Sequence, residues 1–427
     1  MYRLDGTVRG ERRTATMGTY RNLLRVPGVL NVTAAQLFAR LPLGILSLAI
    51  LLHVEGLTGS YALAGAVVAS VGVGEAIAMP VTARLAGRLG VARTLTVASI
   101  VNASGTVALA FVGSSAGLLV GLGLLTGASM PPLMPVVRAL YPRMVPGDEV
   151  RTLFALDTTA QELIWVVGPV AATVLASAIA TTFPLLLCAA VVLLGTAWFL
   201  LGSRGFHPEK AVNHTRFGRV LFHRAVLLAG IASLALVASF TALEVGIIAA
   251  LGSNGLVAGA AIASASVGSL IGGLLLGHRQ LGLSGVVAAL AAVGLGVGVY
   301  GALDNLALQF VALLVSGVGF APAMSVLHLM VSREIGANVA TEAFGWLSSA
   351  AIVGGSIGTA LAGVATDAHG PRGAVMVSVG LAAVAAISPL LARAFGPLPG
   401  LARVPSTVPE RPSVGTSTCS GDVAGSP

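Results

Sequence analysis

Charge is what this chain has least of. Charged residues make up 9% of the 427 residues, and a single lysine, Lys210, stands among 24 basic residues. An average soluble domain carries about 25% charged residues, whereas 56% of this chain is hydrophobic. The scarcity of charge excludes an ordinary soluble core and predicts an integral membrane protein.

Two further scarcities exclude classes of site. A phosphate-binding Gly-x4-Gly-Lys loop needs a glycine before its lysine, but Glu209 precedes Lys210. No His, Cys and carboxylate cluster has the spacing of metal ligands. Cys188 lies in an apolar stretch and Cys419 near the carboxyl terminus, so no disulfide is predicted. We therefore expect no catalytic residue, no metal, no cofactor and no ATP hydrolysis by a P-loop of this chain.

What the chain has instead is apolar stretches of about 20 residues separated by short breaks. That length crosses a bilayer as a helix and is about twice what a barrel strand needs. The sequence predicts an all-α fold of twelve membrane-spanning helices, numbered here spans 1–12: 28–52, 60–82, 92–113, 116–137, 156–179, 182–203, 225–250, 255–277, 282–303, 306–331, 340–365 and 373–394.

The basic residues give an independent test of that number. With a cytoplasmic amino terminus, 22 of the 24 basic residues fall in tails and inner loops, Arg372 falls outside and Arg40 falls in a span. Cytoplasmic loops are enriched in Lys and Arg. We therefore expect a multi-pass protein of the cell (plasma or inner) membrane with both termini cytoplasmic. The net charge of +8 then reflects topology and anionic lipid rather than nucleic acid.

A polar, basic segment divides the chain into two halves of six spans. A shift of 194 residues aligns AGAVVASVGVGEAI (64–77) with AGAAIASASVGSLI (258–271), identical at 8 of 14 positions. These segments are span 2 and span 8, the same element of each half, which predicts a parallel repeat about an axis along the membrane normal. The expected divisions are a tail (1–26), a first half (27–203), a linker (204–223), a second half (224–396) and a disordered tail (397–427).

Four ionisable side chains lie inside the predicted spans: Arg40 in span 1, Glu75 in span 2, Glu162 in span 5 and Glu244 in span 7. A charge near the bilayer centre costs about 2.5–3.5 kcal/mol on insertion scales, so it has to face a partner or a watery interior. Gln36 shares the helix face of Arg40, four residues away. Spans 3, 6, 9 and 12 carry no such charge and are expected at the periphery, while spans 1, 2, 5 and 7 line an interior.

Two interpretations of these side chains stay open. They form structural salt bridges, or they form a substrate and proton pathway. In the second case Arg40 anchors the substrate or the relay, and Glu162 and Glu244 carry protons, because desolvation favours the neutral form of a carboxyl group. The residues of this pathway would be Arg40, Gln36, Glu75, Glu162 and Glu244.

Three other polar residues are predicted to have structural roles. Asp157 and Glu342 lie near predicted span ends, where a charged side chain reaches water cheaply. His328, alone in span 10, is expected to be a packed or interior-facing histidine rather than a metal ligand.

The loop between spans 2 and 3 carries a family resemblance. Its sequence PVTARLAGRLGVAR (80–93) resembles the cytoplasmic loop motif G-x3-D-R-x-G-R-R of the major facilitator superfamily, through Arg88-Leu89-Gly90 and the arginine that follows. Ala83 and Gly87 replace the motif's glycine and aspartate, and that aspartate helps to latch the inward gate in the family. The gate residues implied by the resemblance are Arg84, Arg88, Gly90 and Arg93.

Span 5 holds a second fragment of the same resemblance. Gly168-Pro169 is similar to the Gly-Pro of the family's antiporter motif, although Ala172 and Thr173 replace the glycines that follow, and predicted span 4 lacks the usual arginine. The resemblance implies a monomeric secondary transporter that moves a small hydrophobic or cationic molecule by alternating access, in proton-coupled export. The alternatives are an uptake permease for a sugar or other metabolite, and a non-transporting sensor or scaffold.

Overall fold

The computed structural model describes residues 23, 25–145, 149–206, 216–251, 255–277, 279 and 281–394. Both predicted tails lie largely outside the described residues. The described helices include twelve that are long and apolar enough to cross a membrane, so the predicted number is confirmed. In order, spans 1–12 are Val29–Arg40 with Pro42–Thr58, Tyr61–Leu89, Val91–Phe111, Ala116–Ala128 with Leu133–Met144, Glu149–Ala178, Phe183–Gly202, Arg224–Leu251, Gly255–Leu276, Leu283–Ala302, Leu306–Gly317 with Phe320–Glu334, Ala337–His369 and Pro371–Ala394.

Three spans are interrupted, and a proline accompanies each interruption. Span 1 breaks after Arg40, where Pro42 begins the second helix. Span 4 breaks between Ala128 and Leu133, across two consecutive prolines. Span 10 breaks three residues before Pro322. Proline has no N–H to donate to the carbonyl four residues back, so the helical hydrogen bonds stop at these points.

Glycine pairs let neighbouring helices approach closely, as small-xxx-small pairs do in membranes. Gly123 and Gly127 of span 4 lie against span 2, and Gly354 and Gly358 of span 11 lie against span 7. A side chain at any of these positions would meet a backbone carbonyl of the neighbouring helix. Gly268 and Gly272 of span 8 lie against span 10 in the same way, so all three pairs bring helices close together.

The halves meet through a limited set of helices. Span 2 packs on span 11, span 4 on span 11, and span 5 on spans 8 and 10. Spans 3, 6, 9 and 12 make their main contacts within their own half, as in the pairs 3 with 6 and 9 with 12. The prediction that these four spans are peripheral is therefore confirmed.

The two ends of the bundle are packed differently. We call the end that carries Arg84, Arg138, Arg219 and Arg333 the basic end. One hydrophobic cluster there contains residues of both halves, among them Phe154 of span 5 and Phe344 of span 11. At the opposite end the described residues form separate clusters, one around Ile50 in the first half and another around Leu243 in the second. Hydrophobic packing thus joins the halves at the basic end and leaves them separate at the other.

Candidate functional site

Arg40 lies at the break in span 1 and is almost completely buried. Its Nη1 donates hydrogen bonds to Gln36 Oε1 and to Asp157 Oδ1, both at 2.7 Å. Its Nη2 donates to Gln161 Oε1 at 2.5 Å. Gln36 is on the same helix, whereas Asp157 and Gln161 are one turn apart on span 5. The predicted pairing of Gln36 with Arg40 is therefore part of a larger network that ties span 1 to span 5.

Asp157 holds a second arginine as well. Its Oδ2 accepts a hydrogen bond from Arg138 Nε of span 4 at 3.1 Å, and its Oδ1 also accepts one from Gln36 at 3.1 Å. The Asp157 side chain is fully buried. Two guanidinium groups share one carboxylate, so this cluster has more positive than negative charge. We call Gln36, Arg40, Arg138, Asp157 and Gln161 the Asp157 cluster.

The Asp157 cluster reaches the second half through His328. Arg138 Nη1 lies 3.0 Å from His328 Nε2 on span 10, and the His328 ring stacks on Phe154 with 6.4 Å between ring centroids. Guanidinium groups only donate, so Nε2 must accept and the ring proton lies on Nδ1. His328 is thus a neutral, interior histidine that joins the two halves, and the interior position predicted for it is confirmed.

The structure corrects the position of two members of this cluster. Asp157 was expected near a span end, but span 5 begins at Glu149 and places Asp157 eight residues inside. Arg138 was expected in an inner loop, but span 4 continues to Met144. Both predictions are wrong because these helices continue with polar residues past their apolar part, which hydropathy alone does not detect. The spacing of Asp157 and Gln161 by one turn was the available signal.

Glu162 and Glu244 lie on opposite sides of the space between the halves. Glu162 is buried, and its Oε1 accepts a hydrogen bond from Ser269 of span 8 at 2.9 Å. Glu244 of span 7 is half-buried, and span 8 packs against both span 5 and span 7. Among the described residues, neither forms an ion pair with a basic side chain. Arg40 therefore pairs with Asp157 and not with Glu162 or Glu244.

Glu75 faces the interior of the bundle from span 2. At about 100° per residue, it lies opposite the stripe of exposed apolar side chains that includes Val73 and Ile77. It has no hydrogen-bond or ion-pair partner within the described part of the chain. The structure brings it neither to Arg40 nor to the Asp157 cluster.

The predicted gate region contains an ion pair between the halves. Arg84 Nη1 lies 3.0 Å from Glu342 Oε2 of span 11, and both side chains are buried. Glu342 Oε1 accepts the N–H of Gly218 at 2.9 Å, at the end of the linker. The Arg84 guanidinium also lies over the Phe217 ring, 5.3 Å from its centroid, and Phe217 packs on Trp346. We call these five residues the Arg84–Glu342 latch.

The other residues of the two motif fragments lie at a helix junction, on the surface or at a close contact between helices. Spans 2 and 3 are joined directly at Gly90, whose φ of 98° suits glycine. Arg88 and Arg93 are exposed on either side of it. Gly168 lies against Gly44 of span 1, where no side chain would fit. Span 5 remains helical through Pro169, although proline has no N–H to donate to the carbonyl four residues back.

Comparison with known proteins identifies a family. The sequence profile of the Major Facilitator Superfamily matches residues 32–340. Solved structures with a similar fold include the human organic anion transporter MFSD10 (TETRAN), at 14% identity and a TM-score of 0.65, with 86% of this chain and 99% of that chain covered. A bacterial homologue of the iron transporter ferroportin in its outward-facing state is 15% identical with a TM-score of 0.70, and the match covers 86% of this chain and 99% of that chain. The transporter FucP in its outward conformation is 17% identical with a TM-score of 0.67, and the match covers 87% of this chain and 99% of that chain. No functionally curated protein matches the sequence.

Proposed function

Because the chain belongs to the Major Facilitator Superfamily, we propose that it is a secondary active transporter that exports a small molecule in exchange for protons by alternating access. The observation that carries this proposal is the difference between the two ends of the bundle. A shared hydrophobic cluster, the Arg84–Glu342 latch and the contact of Arg138 with His328 close the basic end. The halves have separate clusters at the other end.

The basic residues favour one orientation in the membrane. Arginine-rich ends of membrane proteins lie on the cytoplasmic side. With the basic end cytoplasmic, both termini are cytoplasmic and the space between the halves opens outward. We propose that the protein works in this orientation as a monomer in the cell membrane.

The proposed proton pathway consists of the interior carboxylates. Glu162, Glu244 and Glu75 lack a basic partner among the described residues, so a proton is the simplest charge that can neutralise them. Arg40 and Arg138 share Asp157, and Arg138 reaches His328 of the second half, so this cluster would keep the floor of the pathway closed until the halves rearrange. Gly168-Pro169, which resembles the antiporter motif, favours export over uptake.

Proteoliposomes containing the full chain test this proposal. A panel of cationic, neutral and anionic compounds is added while a pH-sensitive dye reports the lumen. We expect at least one compound to drive proton movement with wild-type protein, and Glu162→Gln to abolish that movement. Asp367→Asn removes an exposed carboxyl group at the end of span 11 and should leave it intact. Absence of both solute flux and proton movement for every compound would contradict the proposal and favour a sensor or scaffold.

A further inference from the structure

Trp165 is half exposed although it lies well inside span 5. The lipid-facing side of this helix is marked by other exposed residues, Leu163, Val167, Val170 and Val174. Helix residues three apart are rotated by about 60° from one another. Trp165 therefore falls midway between Glu162, which contacts span 8, and Gly168, which contacts span 1. That side is opposite the lipid-facing stripe, so the 51% of Trp165 that is exposed faces the space between the halves.

Glu244 faces the same space from the second half. On span 7, Thr241 donates a hydrogen bond to the Gly355 carbonyl of span 11, whereas Leu243 and Ile247 belong to the cluster that includes span 8. At about 100° per residue, Glu244 lies between these two contact faces. Span 8 packs against both span 5 and span 7, and its Ser269 bonds to Glu162, so it brings the two carboxylates to the same region of the interior.

The charges at this place are unbalanced. Glu162 is 8% exposed, and only its Oε1 receives a hydrogen bond, from Ser269. Glu244 has no hydrogen-bond partner among the described residues. The arginines nearest to the interior form ion pairs with other carboxylates. Arg40 and Arg138 pair with Asp157, and Arg84 pairs with Glu342. Glu162 is more than nine-tenths buried and has one oxygen without a hydrogen bond, and Glu244 adds a second carboxylate. Together with the exposed ring of Trp165, these groups favour a positively charged ligand.

We propose that Glu162, Trp165 and Glu244 form the binding site of an organic cation with a flat or aromatic apolar part. The cationic centre lies between the two carboxylates, and the apolar part rests on the indole ring, which attracts cations through its π face. The site deepens the proposed transport function by naming its substrate class. Anions are disfavoured because, in the described part of the chain, Arg40 and Arg138 are paired with Asp157 and Arg84 is paired with Glu342.

Equilibrium binding to the purified full-length protein tests this site. The probes are tetraphenylphosphonium and tetraphenylborate, which have nearly the same shape and opposite charge, and calorimetry gives their affinities. We expect the cation to bind and the borate not to bind. Glu162→Gln and Glu244→Gln should each weaken cation binding by about tenfold or more, since each leaves the bound charge short of a partner.

Substitutions of tryptophan separate the aromatic contribution from folding. Trp165→Ala should weaken cation binding by about fivefold or more, and Trp165→Phe should restore most of it. Trp198→Ala is the matched control, because Trp198 is also half exposed in a span but bonds to Asn31 away from the site. Failure of the cation to bind, equal binding of the borate, or unchanged affinity in the Glu162 and Trp165 variants would overturn the proposal.

The outcome is separable from that of the transport experiment. Cation binding that responds to these substitutions without any proton-coupled flux would leave the site standing and contradict transport. Flux of neutral or anionic compounds only, without cation binding, would leave transport standing and overturn the site.

Discussion

At the scale of single residues, the Asp157 cluster buries three charged side chains next to one another. Burying ions costs several kcal/mol each, and only good geometry and further hydrogen bonds offset that cost. Here Asp157 accepts from Arg40, Arg138 and Gln36, and Arg40 has Gln36 and Gln161 as additional acceptors. Among the five members of the cluster, the Asp157 carboxylate is the only negative charge, so the cluster depends on it more than on any other member.

Replacing this carboxylate should therefore destabilise the protein. In Asp157→Asn both Arg40 and Arg138 lose their counter-charge, and removing one partner of a buried ion pair costs about 3–5 kcal/mol. We expect a clearly lower melting temperature of the detergent-purified protein. Asp367→Asn, at an exposed position, should melt like the wild type. Equal melting of all three proteins would show that Asp157 does not carry the charge balance of the cluster.

Prediction from sequence worked unevenly at this scale. Arg40 could be identified because a charge in an apolar stretch is conspicuous, and Gln36 because it lies one turn away. Arg138 could not be placed, because the prolines of span 4 interrupt its apolar pattern and its last helix turns are polar. The partner of Arg84 lies 258 positions away, and no local pattern indicates such a pairing.

At the scale of helices, the Arg84–Glu342 latch connects three elements. Span 2 supplies Arg84, span 11 supplies Glu342 and Trp346, and the linker supplies Phe217 and the N–H of Gly218. The chain lacks the aspartate of the family's loop motif, and this buried pair joins the halves at the same end. Opening of the basic end requires Arg84 to leave both Glu342 and the Phe217 ring.

Loss of the latch should shift the protein toward a state that is open at the basic end. Spin labels at exposed positions Leu89 and Ala337, in a background with Cys188 and Cys419 replaced by serine, report the distance between the halves there. Arg84→Ala should increase the population of longer distances. The double charge swap Arg84→Glu with Glu342→Arg should recover part of the closed population, but not all, because arginine cannot accept the N–H of Gly218. An unchanged distance distribution in Arg84→Ala would contradict the latch.

Close helix packing gives a second test at this scale. In Gly354→Ala the new methyl group would meet the Leu234 carbonyl of span 7, whereas the space around Gly363 on the same helix is open. Overpacking costs about 1–3 kcal/mol, and alanine is the better helix former by about 1 kcal/mol. We expect Gly354→Ala to lower the melting temperature and Gly363→Ala to leave it equal or raise it. Equal shifts in both variants would show that span 11 is not held closely against span 7.

At the scale of the whole molecule, the sequence was most informative about topology. Apolar length and the distribution of arginine are properties of each span and loop, so the twelve spans could be predicted. Which end joins the halves is a tertiary property. It depends on Phe154 packing near Phe344 and on Arg138 meeting His328 across the interface, and the sequence contains no signal for it.

We propose that the two ends of this bundle open alternately. Two pairs of spin labels test it in one experiment, Leu89 with Ala337 at the basic end and Leu57 with Leu306 at the other, all at exposed positions. Distances are measured by pulsed electron paramagnetic resonance in lipid nanodiscs, in wild type and in Arg84→Ala. We predict that lengthening at the basic end accompanies shortening at the opposite end. Lengthening at one end with no change at the other, or a single rigid distance at both ends in both proteins, would contradict alternating access.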